Sequence, residues 1–189
     1  IMEEDGPHAR NSSTIAEVAR LLRDEKIGGA PILDNEERVI GIVTEREFAK
    51  YIPAPARTSV GEHMSVNVVT VEPNIFLSKA MKRMISEGFR RLPVLEDGKL
   101  LGLLTSADIL EYFGTSEMFK NMASGDASDA ISIEINEIMI ENPESTNPDK
   151  DLGEVARRME SLGYSGLPVL DGDELVGMIT ERDILELLI

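Results

Sequence analysis

The stretch GLPVL at residues 166–170, followed by GMITERD at 177–183, occurs in two further versions along the chain. The first is GAPIL at 29–33 with GIVTERE at 41–47, and the second is RLPVL at 91–95 with GLLTSAD at 102–108. The spacing from proline to threonine is 13, 12 and 12 residues in chain order. A short repeated unit usually cannot bury its apolar face alone. The sequence therefore predicts three copies of one unit that pack against other units.

The residues around each stretch predict the same order of elements in all three copies. An apolar stripe with i, i+3, i+4, i+7 spacing begins at Ile15, Leu77 and Leu152, each 16 residues before the proline of its copy. This spacing is typical of a helix with one buried face. Two short apolar runs separated by turn residues then indicate a β-hairpin, and a threonine with an acidic residue three positions later begins another helix. Each copy is therefore predicted to be a small β-α-β-β-α unit of the α/β class.

The predicted first helices carry recognisable end signals. Thr14 with Glu17 and Asp151 with Glu154 have the spacing of N-terminal caps. Gly88 and Gly163 are placed to end the helices of copies two and three, and Lys26 holds that position in copy one.

The spacing of the copies suggests how they are grouped. We assign repeats to residues 1–53, 58–113 and 133–189, with a linker at 114–132 that is rich in Ser, Gly, Asp and Ala. Copies one and two are nearly contiguous, so we expect them to pair, leaving copy three separate. An unpaired copy three would expose an apolar sheet, which monomeric proteins rarely tolerate. We therefore expect copy three to pair in one of two ways. Its partner is either a fourth repeat that is missing from this chain, in which case the chain is a fragment, or copy three of a second chain in a homodimer.

Composition excludes several classes of function. The 189 residues are 42% hydrophobic, enough for a core, and carry a net charge of −16, which argues against nucleic-acid binding. The absence of cysteine excludes disulfides and thiolate metal sites, and two histidines leave little for a histidine metal site. Apolar runs are too short for a membrane span and no signal peptide is visible, which favours a soluble cytoplasmic protein. Nucleotide-hydrolase, dinucleotide and zinc-protease motifs are also missing, so we predict no enzymatic activity.

The apolar-Pro-Val segment before a hairpin and the Gly-x-apolar-Thr-x-x-Asp segment after it resemble the cystathionine-β-synthase (CBS) domain. The resemblance covers essentially the whole chain, three times over. It implies tandem repeats that pair into modules with two clefts, and clefts that bind AMP, ADP, ATP or S-adenosylmethionine. It also implies a regulatory role that requires no cofactor.

The resemblance further implies which residues contact an adenosine ligand. The acidic residue after the threonine would hold the ribose hydroxyls, and it corresponds to Asp108, Asp183 and Glu47. A carboxylate suits this role because it accepts hydrogen bonds from two adjacent hydroxyls, although Glu47 is one methylene longer. Thr44, Thr105 and Thr180 would lie beside the sugar or phosphate.

The resemblance implies that adenine lies against backbone of the partner copy, near its first strand and the segment before its proline, so one cleft would join Asp108 to copy one and the other would join Glu47 to copy two. The implied positions are Val68, Val69, Phe89 and Arg90 in copy two, Ile27 and Gly28 in copy one, and Tyr164, Ser165 and Gly166 in copy three. Arg90 and Arg91 match the place of phosphate-binding residues, and guanidinium groups offer paired donors for phosphate oxygens. Arg182 is a further candidate phosphate ligand.

Alternatives remain open at each of these positions. The Thr-x-x-Asp/Glu segments are also helix capping boxes, and the arginines are also consistent with a solvated surface. The function we favour is the sensing of AMP, ADP or ATP for an unidentified protein partner. The alternatives are a ligand-free interaction or oligomerisation module and an S-adenosylmethionine sensor.

Overall fold

The computed structural model describes residues 6–115 and 131–189, so most of the predicted linker lies outside the described residues. The main helices and strands, in chain order, are β1 Ala9–Arg10, α1 Ile15–Asp24, β2 Gly29–Leu33, β3 Val39–Thr44, α2 Glu45–Phe48, α3 Leu77–Glu87, β4 Arg91–Glu96, β5 Lys99–Thr105, α4 Ser106–Phe113, β6 Ile140–Glu141, α5 Leu152–Leu162, β7 Gly166–Asp171, β8 Glu174–Thr180 and α6 Glu181–Leu185. The predicted α/β order is confirmed in each copy, because a helix, a hairpin and a second helix recur three times. Within the described ranges, no helix has both the length and the apolar composition needed to cross a bilayer.

The chain divides into two compact units that do not follow the repeats. Unit 1 contains residues 1–65, 146–169 and 177–189, and unit 2 contains 66–145 and 170–176. Copy one therefore folds with most of copy three, whereas copy two belongs to unit 2 from residue 66 onward. Our expectation of a one–two pair with a separate third copy was wrong, because nearness along the chain did not decide which copies share a core.

The core of unit 1 draws on both of its copies. Val18, Ala19 and Leu22 of α1 pack with Ala30 and Phe48, and Leu185 of copy three belongs to the same buried cluster. Within copy one, β1 pairs in parallel with β2, and β2 pairs antiparallel with β3. The apolar stripe predicted for α1 thus faces a core that copy one does not complete by itself.

The core of unit 2 combines copy two with residues that precede copy three. Leu77, Ala80 and Met84 of α3 pack with Leu92 and Leu104 of the hairpin. Ile135 and Met139 join the same cluster, and β6 pairs antiparallel with β5. The tip of the copy-three hairpin also lies in this unit, where Lys99 pairs with Glu174.

Two short stretches, residues 58–65 and 133–140, act as covers for another copy, and we call them leading segments. Segment 58–65 contacts copy three, since Val60 N–H donates to Lys150 O (2.9 Å) and Ser65 and Met178 exchange backbone hydrogen bonds of 2.9 and 3.0 Å. Segment 133–140 covers copy two in unit 2, where Ile135 N–H donates to Ile75 O (3.0 Å). Each leading segment therefore precedes one of these copies in sequence and covers the other.

This arrangement corrects our expectation for copy three. Val169 and Ile179, in its two hairpin strands, are fully buried, so copy three does not present a bare sheet. The cover is the leading segment 58–65, which is too short and irregular to show helical or strand periodicity in the sequence.

The predicted helix ends are confirmed. Thr14 and Glu17 form a reciprocal capping box, and Asp151 accepts a hydrogen bond from the N–H of Glu154. Gly88 and Gly163 end α3 and α5 in the left-handed region, with φ of 72° and 73°. Lys26 adopts a positive φ of 55° at the same place in copy one, where no glycine is available.

Asp151 fastens the connection between copies one and two to α5 of copy three. Its Oδ1 accepts from Ala56 N–H and its Oδ2 accepts from Arg57 N–H, each at 2.9 Å, in addition to the cap at Glu154. The Ala56 N–H is the largest of the causes that hold the pKa of the Asp151 carboxyl below its ordinary value. A lowered pKa in the folded state means that the charged carboxylate stabilises the fold above the ordinary carboxyl range, and that this contribution is lost as the pH falls through the folded pKa.

Asp151→Asn is therefore expected to lower stability at neutral pH and to change how stability depends on acid. The gap in unfolding free energy between wild type and variant should be constant above about pH 5 and should shrink as the pH falls below about 4, because the unfolded wild-type chain then binds a proton that the folded chain binds only at lower pH. Urea unfolding followed by circular dichroism at several pH values measures this gap. A gap that is the same at acid and neutral pH would contradict a role for the charge.

Candidate functional site

The acidic residue of each Thr-x-x-Asp/Glu segment holds its own threonine in the same way. Oδ2 of Asp108 accepts from the N–H and the hydroxyl of Thr105, both at 2.7 Å. Oδ2 of Asp183 accepts from Thr180 at 2.7 and 2.6 Å, and Oε2 of Glu47 accepts from Thr44 at 2.8 and 2.5 Å. The capping-box interpretation is thus confirmed in all three copies. The cap also fixes the direction in which the carboxylate points.

The segment before each proline lies directly against the start of the helix that carries this carboxylate. The first N–H of that helix donates to a carbonyl three residues before the proline: Glu45 to Gly28 (3.0 Å), Ser106 to Arg90 (3.0 Å) and Glu181 to Ser165 (3.1 Å). The structure therefore brings the acidic residue of each copy next to the pre-proline residues of the same copy. We call this pair of elements the half-site of the copy. The expected clefts between copies one and two are a wrong prediction, because these two copies belong to different units.

The half-site of copy two collects most of the residues predicted for that copy. Asp108 is half-buried, and within the part of the chain that the structure describes its Oδ1 accepts no hydrogen bond. Arg91 lies opposite Thr105 in the β4–β5 ladder, Arg90 is exposed, and Phe89 is 40% exposed. Val68 and Val69 are half-buried just before Val71, whose N–H donates to Pro93 O at 3.1 Å.

The half-site of copy three has the same construction. Thr146 N–H donates to Pro168 O (2.9 Å), as Val71 does to Pro93 in copy two. Tyr164 is 38% exposed and its N–H caps α5 by donating to Met159 O (2.9 Å), while Gly166 is buried at the start of β7. Tyr164 and Ser165 thus flank the N-terminus of α6, where Asp183 is held.

The half-site of copy one differs in its acidic residue. Despite its extra methylene, Glu47 makes the same two contacts as the aspartates, and the hydroxyl of Thr44 is the main cause of its lowered pKa. Gly28 contributes its carbonyl to the start of α2, and the carbonyl of Ile27 is already bound by a side chain of copy three.

That side chain is Arg182, and it takes part in a reciprocal set of contacts inside unit 1. Arg182 forms an ion pair with Glu45, whose side chain is only 7% exposed, and donates to Ile27 O at 3.1 Å. Arg46 of copy one likewise contacts copy three, donating to Glu181 Oε1 (3.1 Å) and to Gly163 O (3.0 Å). The structure therefore gives Arg182 protein partners, and its predicted contact with phosphate stays a prediction.

Sequence reasoning missed Glu45 and Glu181, although a signal for them exists. Copies one and three both read Thr-Glu-Arg, whereas copy two reads Thr-Ser-Ala. The two copies that share this Glu-Arg pair are the two whose arginines cross to each other in unit 1. The Glu-Arg dipeptide therefore indicated that copies one and three belong together, whereas the spacing of the copies along the chain did not.

The half-sites offer polar groups suited to a small ligand. Each presents a carboxylate, which accepts from hydroxyls, beside backbone N–H and C=O groups of the pre-proline segment, which donate and accept hydrogen bonds. Among residues 6–115 and 131–189, no group of three or more His, Asp or Glu side chains is placed to hold a metal ion.

Family comparison agrees with this architecture. The family model of the CBS domain matches residues 1–54, 60–115 and 135–189, which together span nearly the whole chain. The chain belongs to the CBS-domain family, as its three Pro-to-Thr segments indicated.

Two archaeal proteins are similar over almost the entire chain. Protein MJ1225 of Methanocaldococcus jannaschii is 28% identical over 98% of this chain and 68% of its own length. Its crystal structure, described as that of a candidate archaeal homologue of g-AMPK, superposes with a TM-score of 0.93 over 100% of this chain and 69% of that one. A 33.4 kDa protein of Thermofilum pendens is 28% identical over 97% of this chain and 62% of its own length. The chain thus spans roughly two thirds of the length of these relatives.

A smaller structure carries ligands. The CBS domain pair of protein MJ0100, solved with 5′-methylthioadenosine and S-adenosyl-L-methionine, is 30% identical, has a TM-score of 0.54, and is matched over 69% of this chain and 94% of that one. A homoserine O-acetyltransferase of Methanohalobium evestigatum is 33% identical over 58% of this chain, and the match covers 22% of that enzyme.

Proposed function

We propose that this chain is a non-catalytic regulatory module of the cytoplasm that binds an adenosine nucleotide, AMP, ADP or ATP, and signals its presence to a protein partner. Asp108 and Asp183 hold the ribose hydroxyls in this proposal, and Glu47 does so with a longer reach. Phe89 and Arg90 of copy two, and Tyr164 and Ser165 of copy three, form the backbone platform for adenine. Arg90 and Arg91 bind phosphate.

The observation that supports this proposal is the position of Asp108. One oxygen of its carboxylate is committed to Thr105, which fixes the orientation of the group, and Oδ1 remains to accept from vicinal hydroxyls. The Arg90 carbonyl is bound to Ser106, two residues from Asp108, so the pre-proline segment lies beside the same helix start. A rigid acceptor next to an ordered backbone edge is preorganised to bind a ligand that carries both hydroxyls and a base, as a nucleoside does.

The relatives support an adenosine ligand and leave its identity to experiment. MJ0100 binds two adenosine compounds without a terminal phosphate, and MJ1225 is described as a candidate homologue of g-AMPK. The first favours an S-adenosylmethionine sensor and the second favours energy sensing. We choose the nucleotide because Arg90 and Arg91 lie at the copy-two half-site of a chain whose net charge is −16.

Calorimetric titration with AMP, ADP, ATP and S-adenosylmethionine is the test. A nucleotide should bind, and Asp108→Asn or Asp183→Asn should weaken binding at the altered half-site about 10- to 100-fold, because a charge-assisted hydrogen bond is lost while an amide oxygen still caps the helix. Glu17→Gln is the matched control, since Glu17 caps α1 in the same way but lies outside the half-sites. Binding of S-adenosylmethionine alone, or binding unaffected by both aspartate changes, would contradict the nucleotide proposal.

A ligand-free interaction module is the second candidate, and one observation favours it. All three acidic residues already cap their helices, so their presence is explained without a ligand. In that case protein free of co-purified nucleotide gives no heat with any of the four compounds. Asp108→Ala would then cost about 1 kcal/mol of stability as a lost cap and change nothing else.

A further inference from the structure

Copy two contains a cavity at the turn of its hairpin. The cavity has a volume of about 800 Å³ and is lined by residues 70–75, by α3 and by residues 95–98, which form the turn between β4 and β5. All of these residues belong to copy two and to unit 2. The volume is within the range of sites that hold small molecules.

This cavity is separate from the half-site of copy two. In the β4–β5 ladder the half-site lies at the end where Arg91 is opposite Thr105, whereas the cavity lies at the other end, where Glu96 is opposite Lys99. Five steps of extended strand separate Arg91 from Glu96, which is roughly 16 Å. None of the residues that we assign to an adenosine ligand lines the cavity.

Charges of both signs line the cavity without pairing across it. Lys79 and Arg83 lie one helical turn apart on α3, and the Arg83 side chain is held by a hydrogen bond from Nη1 to Thr70 O (3.2 Å). Three carboxylates lie on the other lining segments: Glu72, Glu96 and Asp97. Among residues 6–115 and 131–189, neither Lys79 nor any of these three carboxylates forms an ion pair or a side-chain hydrogen bond.

Lys79 is not explained by the needs of its own helix. It is the third residue of α3, and the third residues of α1 and α5 are Glu17 and Glu154. A glutamate there favours the helix, as the capping box at Glu17 shows, whereas a cation in the first turn is repelled by the positive end of the helix dipole. A negatively charged group in the cavity would compensate this cation.

We propose that this cavity binds a small zwitterion, namely an amino acid or a short peptide with a free α-ammonium and a free α-carboxylate. Lys79 and Arg83 bind the carboxylate, and Glu96 and Asp97 bind the ammonium. A simple anion or a simple amine would neutralise only one of the two sets of charges. Leu95, which is half-buried, offers apolar surface to the rest of the ligand. The proposal does not depend on binding of an adenosine nucleotide.

Titration of ¹⁵N-labelled protein with L-leucine, leucylglycine and leucylglycylglycine, followed by amide NMR shifts, tests this site. At least one compound should bind with a dissociation constant below about 1 mM. It should shift the amide of Gly98, at the cavity, and leave that of Ser106, at the half-site, in place. Because the charged ends are farther apart in the longer compounds, the preferred one distinguishes an amino acid from a peptide. The same compound with its amine acetylated or its carboxylate amidated should bind at least about 10-fold more weakly.

Lys79→Glu should weaken this binding at least about 10-fold, because it replaces the cation by a repelling carboxylate. The fold should be retained, since Glu17 and Glu154 hold the same position in α1 and α5. Lys82→Glu is the matched control, because Lys82 is exposed on the same helix but does not line the cavity.

Three results would overturn the proposal. The first is no binding of any of the three compounds up to about 10 mM. The second is binding that survives Lys79→Glu or is lost equally in Lys82→Glu. The third is equal binding of the blocked compounds, or a Gly98 shift caused by inorganic phosphate or putrescine but by none of the zwitterions, which would make the cavity a site for a single charge.

Discussion

Gly153→Ala is expected to destabilise the protein by about 2–3 kcal/mol, although helix propensity alone predicts a stabilisation of up to about 1 kcal/mol. Gly153 is buried in the first turn of α5, and a Cβ added there would overlap the carbonyl oxygen of Pro53 and stand 3.0 Å from Ala56 N. Both neighbours are backbone atoms of the connection that Asp151 fastens, so they cannot turn aside as a flexible side chain would. The midpoint of urea unfolding measures the effect.

Gly41→Ala is the matched control for this substitution. An added Cβ at Gly41 has open space, and the residue does not adopt a positive φ. It should change the unfolding midpoint little. If Gly153→Ala were neutral or stabilising, the close contact between α5 and the Pro53 carbonyl would be disproved.

Arg182→Ala is expected to cost about 3–5 kcal/mol, because it leaves the Glu45 carboxylate buried without its ion partner. The Glu45 side chain is only 7% exposed, and the same arginine also satisfies the Ile27 carbonyl. Chemical unfolding at neutral pH measures the loss. The double variant Arg182→Met with Glu45→Leu should recover most of it, since well-packed apolar side chains often replace a buried ion pair without cost.

Arg46→Ala is the control for Arg182→Ala. Arg46 pairs with Glu181 across the same two copies, but its side chain is 44% exposed, so Arg46→Ala should cost no more than about 1 kcal/mol. Equal effects of Arg182→Ala and Arg46→Ala would show that the Glu45 pair is no more important than a surface bridge. A structural role for Arg182 would also appear in protein that contains no nucleotide, which separates it from phosphate binding.

The sequence predicted the internal order of each copy because that order depends on local signals. The stripe of α1, the cap at Thr14 and the left-handed ends at Gly88 and Gly163 are all decided by residues a few positions apart. The capping boxes of the half-sites were predictable for the same reason, whereas the pairing of each acidic residue with the pre-proline segment of its own copy was not expected. Asp108 and the Arg90 carbonyl meet because one hairpin returns the chain to the start of α4.

The grouping of the copies was not predictable from spacing, because it depends on contacts between distant residues. Leading segments 58–65 and 133–140 contain only one short 3-10 turn each, too little to produce a periodic apolar pattern. Met64 and Met139 of these segments lie directly against Gly177 and Gly102, and this contact is visible only in the folded structure. The Glu-Arg pair shared by copies one and three was the available signal, and it was interpreted as surface or phosphate contact instead.

Because unit 1 is formed by segments that are far apart in the chain, it constrains how the protein folds during synthesis. Its core joins Val18 and Ala30, near the beginning of the chain, to Leu185, near the end. A chain that leaves the ribosome from its N-terminus cannot close this core until α6 has been synthesised, so copy one must wait, incompletely buried, while copy two emerges. Copy one should therefore be sensitive to protease and bind chaperones in nascent chains arrested before α6, and it should become protected once α6 has left the ribosome.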